Sequence, residues 1–480
     1  MTSTDQDDAL ARLRAMQAGD LPVHGGRTLA YVYDSGRPDV DRVGREAVAA
    51  YAGSNGLDPT AFPSLLAMEN DLVGFACDLL DAPPGAVGTV TSGGTESCLL
   101  AVQAARDSRP DVTRPNLVVA DTVHAAFHKA AHYFGVEVRA VPAGADFRAD
   151  VPAMVAAMDE RTVLVVASAP SYAHGVVDPV PALAAAAVER GVRCHVDACI
   201  GGWVLPYAAR LGRPVPPWTF AVEGVTSISV DTHKYAYAPK GTSLLLHRTP
   251  ALRRPVFFAF ADWPGYTMLN STMQSTKSGG PLAGAWAMVE TLRDDGYLAL
   301  ARDALAAVDA IVAGVAAQPG LRLLAPPDST LLAVITDGTC DAFTVCDEML
   351  ARGWFLQPQM SYAGTPPTLH LAVSAGTAAH VDELLAALAE AVAAAVEAGP
   401  VSVDPGVVAF IEALDPAALS DEDFDGLLAA SGLVGAGSGG GLELPTRMAA
   451  VNALLDVAAP RMREALLVAF LDRLARPRRR

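Results

Sequence analysis

The run Val163-Leu164-Val165-Val166-Ala167 is followed by the alanine-rich segment 180–190 (VPALAAAAVER) and then by Arg193-Cys194-His195-Val196. The outer runs have the short β-branched pattern of buried strands, and the middle segment has the pattern of a helix. Strand–helix–strand order is typical of a parallel sheet covered by helices on both faces. The alternation extends from about residue 67 to residue 246, with further strands predicted at Leu117–Ala120, Val136–Val141 and Ser227–Val230, and a helix at Ser97–Arg106.

The sequence after this region predicts a second αβ unit and a helical end. A helix is expected from Pro281 to Leu292, and the second unit over residues 321–398. Its strands are predicted at Ser329–Ile335, Trp354–Gln357 and Thr368–Val373. The remaining chain is interpreted as an acidic helical pattern (409–433), a glycine-rich loop (435–441) and another helical segment (442–476). We therefore predict a large domain over 61–300, a small C-terminal αβ domain over 301–399 and a helical appendage of unknown role over 400–480.

The composition excludes several classes of protein. The net charge of −18 over 480 residues argues against nucleic acid as a partner, because phosphate backbones need clustered Lys and Arg. The one basic run, Arg476 with Arg478–Arg480, is interpreted as a solvated tail. No apolar run is long enough for a membrane span, and residues 1–8 lack the order of a signal peptide. The six cysteines form no C-x-x-C pair, so we expect reduced thiols in a cytoplasmic protein.

A first chemical motif is Thr91-Ser92-Gly93-Gly94-Thr95-Glu96-Ser97, which opens a predicted helix. Small residues at a helix start let backbone N–H groups approach an anion, and the helix dipole adds to the attraction. The turn is thus a candidate phosphate cradle, to which Thr95 and Ser97 can add hydroxyl donors. The alternative interpretation is a turn followed by an ordinary N-cap.

Two further motifs follow apolar strands. Asp197 ends the strand that contains His195-Val196, where a buried carboxylate needs a cationic or hydrogen-bonding partner. A protonated pyridine nitrogen would be such a partner, although an N-cap or structural role is also open. Lys234 comes directly after the predicted strand Ser227–Val230, next to His233. A lysine that enters a cleft can form a Schiff base, whereas an exposed loop lysine is the alternative.

The order of these motifs is more specific than any one of them. A phosphate cradle, an acidic strand end and a His-Lys pair after another strand together predict a pyridoxal 5'-phosphate (PLP) site, with Lys234 as the Schiff-base lysine. His124, after the strand Leu117–Ala120, is a candidate for stacking on the cofactor ring. A histidine that only makes a hydrogen bond at a helix start is the alternative for this residue.

At this point the chain resembles the fold-type I PLP enzymes of the group II decarboxylase superfamily, and within it sphingosine-1-phosphate lyase and its soluble bacterial relatives. The resemblance covers about residues 26–373. It implies a PLP-dependent transferase-like α/β fold with a seven-stranded type of sheet. The strings that carry it are residues 90–97 (VTSGGTES), 124–127 (HAAF), 132–135 (HYFG), 174–181 (HGVVDPVP), 195–202 (HVDACIGG), 224–235 (GVTSISVDTHKY) and 237–243 (YAPKGTS).

The resemblance also implies roles for residues at matching positions. Lys234 would bind PLP covalently, and Asp197 would pair with the pyridine nitrogen. His124 and Cys199 would contact the two ring faces. Gly94, Thr95 and His233 would hold the cofactor phosphate, while Tyr33 and Lys240 would act at the reacting end of the substrate. The family is homodimeric with sites at the subunit interface, so residues 1–60 are expected to pack on the partner subunit.

Departures from the family pattern concern the substrate. The family string Ser-Asn-Pro-Leu-His-Pro reads here Ser54-Asn55-Gly56-Leu57-Asp58-Pro59, and Ser-Arg-Pro-Gly-Gly reads Thr276-Lys277-Ser278-Gly279-Gly280. A carboxylate at Asp58 would repel a phosphate dianion, and Lys277 lacks the bidentate fork of arginine. We take Asn55, Asp58, His174 and Lys277 as candidate substrate residues.

Three functions remain open from the sequence. The first is retro-aldol cleavage of a carbon–carbon bond in an amine or amino-acid substrate, with Tyr33, Lys240 or His174 as the base. The second is decarboxylation of an amino acid, which the altered phosphate contacts favour. The third is a PLP-binding scaffold without turnover. The sequence does not identify the substrate or the bond that breaks.

Overall fold

The structure, a computed structural model of the chain, describes residues 3–430 and 445–477. It divides into two compact units. The first contains the chain up to Ile311 together with residues 324–332 and 372–381, and the second contains residues 312–323, 333–371 and the chain from Asp382 onward. The predicted glycine-rich loop 435–441 and Arg478–Arg480 of the basic tail lie outside the described residues.

A seven-stranded sheet forms the centre of the first unit, with strand order β1-β7-β6-β5-β4-β2-β3. Strands β6, β5, β4, β2 and β3 pair in parallel, whereas β7 is antiparallel to both of its neighbours. The predicted mostly parallel sheet is therefore confirmed. The strands are β1 Val87–Thr91, β2 Asn116–Ala120, β3 Glu137–Val141, β4 Thr162–Ser168, β5 Arg193–Asp197, β6 Val225–Val230 and β7 Ser243–His247, with the separate hairpin β8 Phe258–Phe260 and β9 Met268–Asn270.

Helices cover this sheet, as the alternation predicts. The alanine-rich segment forms a helix over Val180–Arg190, as expected, and Gly191 ends it with a left-handed φ of 65°. The helices are α1 Ser3–Gln17, α2 Pro38–Ala50, α3 Pro63–Leu79, α4 Gly94–Asp107, α5 Ala126–Phe134, α6 Val151–Ala157, α7 Val180–Arg190, α8 Leu205–Arg210, α9 Pro250–Arg253 and α10 Gly279–Ala317. Short 3-10 turns lie at Gly201–Trp203, Arg254–Val256 and Ala375–His380.

Helix α10 is longer than predicted but is broken where we expected its end. Arg293 has φ 49° and ψ −167° within it, which is not a helical conformation. The predicted helix Pro281–Leu292 therefore corresponds to the part before this break.

The second part of the chain contains a four-stranded sheet and the remaining helices. Its strand order is β10-β11-β13-β12. The strand predicted at Trp354–Gln357 is present but shifted, because β12 covers Gln357–Gln359 and Trp354 is buried before it. The elements are β10 Leu321–Leu323, β11 Leu331–Thr336, β12 Gln357–Gln359, β13 Thr368–Ala372, α11 Ala342–Ala351, α12 Val381–Ala398, α13 Pro405–Ala413, α14 Asp421–Ala430, α15 Ala449–Val457 and α16 Pro460–Leu474.

The final helices are more divided than the sequence pattern indicated. The single pattern predicted over 409–433 contains two helices, α13 and α14, and Asp415-Pro416 lies between them. The backbone N–H of Ala417 donates to the Asp415 carboxylate at 2.9 Å, so a turn replaces the helix there. The segment predicted as one helical stretch over 442–476 is divided in the same way at Pro460, the first residue of α16. Across the described residues, no helix is both long and apolar enough to cross a membrane.

Candidate active site

The site lies where strands of the seven-stranded sheet end. Strands β1, β2, β4, β5 and β6 run in the same direction, so their carboxyl ends share one edge of the sheet. A cavity of about 380 Å³ opens at this edge. Its walls are Ser92, Gly93, Gly94, Thr95, Glu96, Cys98, His124, Ser168, Pro170, Tyr172, Asp197, Cys199, Ile200, Asp231, His233 and Lys234. All seven residues predicted to contact the cofactor are among them.

Lys234 and Asp231 form an ion pair in this cavity. The Nζ atom of Lys234 lies 2.9 Å from Oδ2 of Asp231. Burial by itself would lower the pKa of Lys234, but the Asp231 carboxylate raises the pKa well above the ordinary lysine value. The reverse holds for Asp231, where burial would raise the pKa but the Lys234 ammonium keeps it below the usual value. Without a cofactor, Lys234 is therefore an ammonium ion.

Asp197 is oriented by its neighbours at the end of β5. The backbone N–H of Cys199 donates to Oδ1 of Asp197 at 3.1 Å, and the Ser229 hydroxyl donates to the same oxygen at 3.4 Å. Both of these hydrogen bonds end on Oδ1 of Asp197, so within the described residues Oδ2 of Asp197 is available to a further donor. The structural hydrogen bond that we considered as an alternative is thus present, and it orients the carboxylate.

The predicted phosphate cradle is formed by the turn between β1 and α4. An added Cβ at Gly94 would lie 2.7 Å from Oδ2 of Asp231 and 2.8 Å from Sγ of Cys199. Only glycine allows this approach. Glu96 supports the turn, since its carboxylate accepts the backbone N–H groups of Ser92 at 2.6 Å and Met273 at 2.7 Å.

His124 lies at the rim of the cavity. The backbone N–H of Ala126 donates to its Nδ1 atom at 3.1 Å. The ring is therefore held at the start of α5, and Nε2 carries the proton of the neutral form. The Tyr172 ring stands nearly perpendicular to it, with 6.3 Å between centroids and an interplanar angle of 86°.

These residues fit PLP by their chemistry. Two buried polar atoms of the cavity residues, Nδ1 of His233 and Oδ1 of Asp231, have no hydrogen-bond partner among the described residues. A buried polar atom without a partner is accounted for when a ligand, water or ion satisfies it. The cavity also combines a lysine, a carboxylate at a strand end and a helix start that only glycine lets approach so closely. A pyridine ring that carries an aldehyde and a phosphate requires these three features.

Tyr33 and Lys240 adjoin the cavity residues, although neither is among those that line it. The Nζ atom of Lys240 lies 4.9 Å from the centre of the Tyr33 ring, and it donates to the His233 carbonyl at 3.2 Å. Lys240 is an exposed residue by surface area. Desolvation of its amine by surrounding groups and the Lys234 charge nevertheless lower the pKa of Lys240 to about 8. Desolvation raises the pKa of Tyr33 to about 12.

The candidate substrate residues do not line this cavity. Lys277 forms an ion pair with Glu69, with 2.6 Å between Nζ and Oε2. Asp58 accepts the backbone N–H of Thr60 at 2.8 Å and the Thr60 hydroxyl at 2.7 Å, so it caps a local turn. Asn55 accepts the backbone N–H of Leu57 at 3.1 Å. His174 stacks on Phe147 with 4.3 Å between ring centroids, and burial lowers its pKa.

Sequence reasoning assigned no role to several residues of the site. Asp231 lies within the string 224–235, where a carboxylate three positions before a buried lysine indicates an ion pair. Glu96 was part of the cradle motif, but its bond to Met273 joins residues 177 positions apart. Tyr172 and Cys98 left no signal in the sequence that points to this cavity.

Comparisons with known proteins identify pyridoxal-dependent enzymes as relatives of this chain. Residues 39–255 match the family described as "Pyridoxal-dependent decarboxylase conserved domain". Residues 405–473 match "Pyridoxal-dependent enzyme, C-terminal putative HTH domain". The chain is 36% identical over 370 residues to a sphingosine-1-phosphate lyase of Arabidopsis thaliana, covering 75% of this chain and 67% of the relative. It is 38% identical over 335 residues to that of Dictyostelium discoideum, covering 69% and 62%. The chain thus spans about two thirds of the length of these curated relatives.

Solved structures are also similar. A sphingosine-1-phosphate lyase of Burkholderia pseudomallei has a TM-score of 0.77 and 34% identity, over 82% of this chain and 92% of that one. A glutamate decarboxylase of Lactobacillus brevis has a TM-score of 0.72 at 19% identity, over 82% and 94%. The second likeness concerns the fold alone.

Proposed function

The chain belongs to the group II superfamily of pyridoxal-dependent decarboxylases, and from this premise we propose that it is a PLP-dependent carbon–carbon lyase. Its substrate is an amine or amino acid, and the reaction is a retro-aldol cleavage like that of sphingosine-1-phosphate lyases. One observation carries the proposal. Lys234, paired with Asp231, shares a cavity of about 380 Å³ with Asp197 and the Gly94 helix start.

The residues of the cavity have separate roles in cofactor binding and proton transfer. Bound PLP supplies an electron sink for the bond that breaks at Cα of the substrate. Asp197 offers Oδ2 to a ring N–H, while Gly94, Thr95 and His233 hold the phosphate. Lys234 must lose a proton from Nζ before it can act as a nucleophile, and Asp231, at 2.9 Å, is the carboxylate that keeps that proton on Nζ in the cofactor-free protein.

Lys240 is the best placed of the three candidate bases. A base that works near neutral pH needs a pKa close to the working pH. The pKa of Lys240 is lowered to about 8, whereas that of Tyr33 is raised to about 12. His174 is engaged by Phe147. We assign removal of the substrate hydroxyl proton to Nζ of Lys240, with Tyr33 positioning that amine.

Decarboxylation of an amino acid is the second candidate, and one observation favours it. In sphingosine-1-phosphate lyases, the position of Lys277 is implied to help hold the substrate phosphate. Here its charge is paired with Glu69 at 2.6 Å, and the nearby sequence position 58 is a carboxylate engaged with Thr60. A non-phosphorylated substrate suits this arrangement better than a phosphate dianion.

A homodimer with shared sites accounts for the substrate residues outside the cavity. Gly56, Leu57, Pro59 and Lys277 line a separate cavity of about 310 Å³. In the proposed dimer these segments of one subunit face the cofactor of the other. The N-terminal helix supports this, since Leu10, Leu13 and Met16 on one face of α1 are 51%, 61% and 77% exposed. Apolar faces of this kind are expected to pack on a partner.

A reducing compartment suits the cysteines. All six are free thiols and five of them are buried, and disulfides are rare in cytoplasmic proteins. We therefore propose a cytoplasmic location. Labelling of the protein in cells, followed by fractionation, tests it.

A substrate screen tests the proposed reaction. The purified protein, loaded with PLP, is given a panel of amino acids and of 3-hydroxy amines with and without phosphate, while carbon dioxide and aldehyde are measured in parallel. Aldehyde release supports the lyase, and carbon dioxide release supports the decarboxylase.

The chain has four lysines, Lys129, Lys234, Lys240 and Lys277. Lys234→Ala should abolish turnover and covalent PLP capture, and exposed Lys129→Ala is the control. A yellow protein without any product would support the scaffold instead.

A further inference from the structure

Two thiols and a carboxylate meet at the base of the cofactor cavity. The Sγ atoms of Cys98 and Cys199 and a carboxylate oxygen of Asp197 lie within 4.8 Å of one another, and all three residues are buried. Cys98 lies one helical turn after Gly94 on α4, and Cys199 lies two residues after Asp197. We propose that the cofactor-free protein binds one thiophilic divalent cation, Zn²⁺, through these three side chains.

The donor atoms have the chemistry and the spacing that Zn²⁺ requires. Cys thiolates and a carboxylate are common zinc ligands, and three protein ligands with one open position make an accessible site. Two sulfurs on a tetrahedral Zn²⁺ lie about 3.8 Å apart, because each Zn–S bond is about 2.3 Å. The observed separations of at most 4.8 Å need only small side-chain adjustments. The fourth position faces the cavity, where water can occupy it.

A neighbouring hydroxyl supports the same three ligands. The thiol of Cys199 donates to Oγ of Ser229 at 3.4 Å, and Ser229 donates to Asp197 at 3.4 Å. Hydrogen bonds from such neighbours orient ligand atoms and tune a metal site. A second cluster of possible metal ligands in the described residues, His24 with Asp34 and Asp41, is less suited to binding a metal ion. There the Asp34 carboxylate already accepts the backbone N–H groups of Gly25, Gly26 and Gly36.

The cation and PLP compete for one carboxylate. Asp197 is the partner assigned to the ring nitrogen, and a metal bound to it would occupy the space of the ring. Zinc therefore blocks cofactor loading rather than assisting catalysis. This inference rests on the proposed PLP site, but its readout is metal binding and needs no turnover. It can therefore fail while lyase activity stands.

Cadmium titration of the whole protein tests the proposal. PLP is removed with hydroxylamine, the thiols are kept reduced, and Cd²⁺ is added while thiolate-to-cadmium absorbance is followed in the ultraviolet. We expect one Cd²⁺ per chain, displacement of Cd²⁺ by Zn²⁺, and at least a tenfold loss of PLP capture by the cadmium-loaded protein.

Cysteine variants test which side chains bind the metal ion. Cys98→Ala should abolish the cadmium band, and Cys98→Ser, which keeps the size of the side chain, should do the same if the alanine variant does not fold. Cys194→Ala is the matched control, since Cys194 is a buried thiol on β5, the strand that ends at Asp197, but lies outside the cluster. Absence of the band in the parent protein, its persistence in both Cys98 variants, or full loading with Cd²⁺ and PLP together would overturn the proposal.

Discussion

At the residue scale, the Lys234–Asp231 pair controls how the cofactor is captured. Asp231→Asn removes the charge that raises the pKa of Lys234, and burial then lowers it. A larger fraction of Lys234 is neutral at a given pH, so PLP capture should become faster at neutral pH, on the order of tenfold for each unit by which the pKa falls. Stopped-flow absorbance of the apo-protein mixed with PLP measures this rate.

Asp231→Glu is the matched control for this prediction, because it keeps the negative charge. Its pH profile should stay close to that of the parent. Equal profiles for the parent and Asp231→Asn would mean that the carboxylate does not set the protonation of Lys234.

Lys240 should determine the rising limb of the pH–rate profile. Its pKa is lowered to about 8, and only the neutral amine can accept a proton. Below this pH the amine is charged, so kcat/KM for the preferred substrate should rise with pH and level off above about pH 8.

Lys240→Met should remove that limb and lower kcat by about 10²–10⁴-fold, while PLP absorbance is retained. The pH–rate profile of both proteins is the measurement. An unchanged limb in the variant would assign the titration to another group, and Lys129→Met controls for the loss of a lysine charge.

At the element scale, the turn between β1 and α4 determines affinity for the phosphate. Gly94→Ala would bring Cβ to 2.7 Å from Asp231 and 2.8 Å from Cys199. We expect PLP to bind at least about tenfold more weakly, which corresponds to about 1.4 kcal/mol. Equilibrium titration of apo-protein with PLP measures this.

Gly93→Ala provides the comparison on the same turn. Its added Cβ would meet only Cε1 of His233, at 3.5 Å, and its φ of 163° is extended backbone. It should therefore bind PLP nearly as the parent does. A similar loss in both variants would indicate a general disturbance of the turn rather than a close approach at Gly94.

Local sequence patterns predicted individual helices and strands better than they predicted which strands pair in the sheet. Helix α7 occupies the predicted residues 180–190, and β5 extends the predicted strand by one residue, Asp197. Strand β7 was not predicted, although it lies between β1 and β6 and runs antiparallel to both. Strand pairing depends on contacts between distant residues, and no local periodicity reports them. The strand predicted from Trp354 begins only at Gln357, because a buried apolar run also occurs in connecting segments.

At the scale of the whole molecule, the exposed face of α1 predicts association. Leu13→Glu together with Met16→Glu puts charges on that face, where both residues are more than half exposed. In the proposed homodimer these charges would be buried, so the dimer should dissociate or weaken at least tenfold. Light scattering across a dilution series measures the mass.

Ala15→Glu adds the same charge on the opposite face of α1 and is the control. It should leave the mass at twice that of one chain. A monomeric parent protein would contradict the proposal, and so would a double variant that remains as dimeric as Ala15→Glu.

The sequence by itself determined the class of fold and predicted a set of residues that the structure brings together in one cavity. Periodicity identified the alternating strands and helices. Asp197 ends β5, Gly94 comes three residues after β1, and His233 and Lys234 come three and four residues after β6. In a parallel sheet the carboxyl ends share one edge, so residues at those ends meet without further information. This is why seven predicted cofactor residues line one cavity.

Only the tertiary structure decided the partners of these residues. The Lys277–Glu69 pair joins positions 208 apart, and the approach of Cys98 to Cys199 joins a helix to a strand end. Local sequence carries the preference for a helix or a strand, but the charge and hydrogen-bonding state of a buried group depends on whichever distant side chain packs against it. For that reason the chemistry of Asp231, Lys277 and Cys98 emerged only from the folded chain.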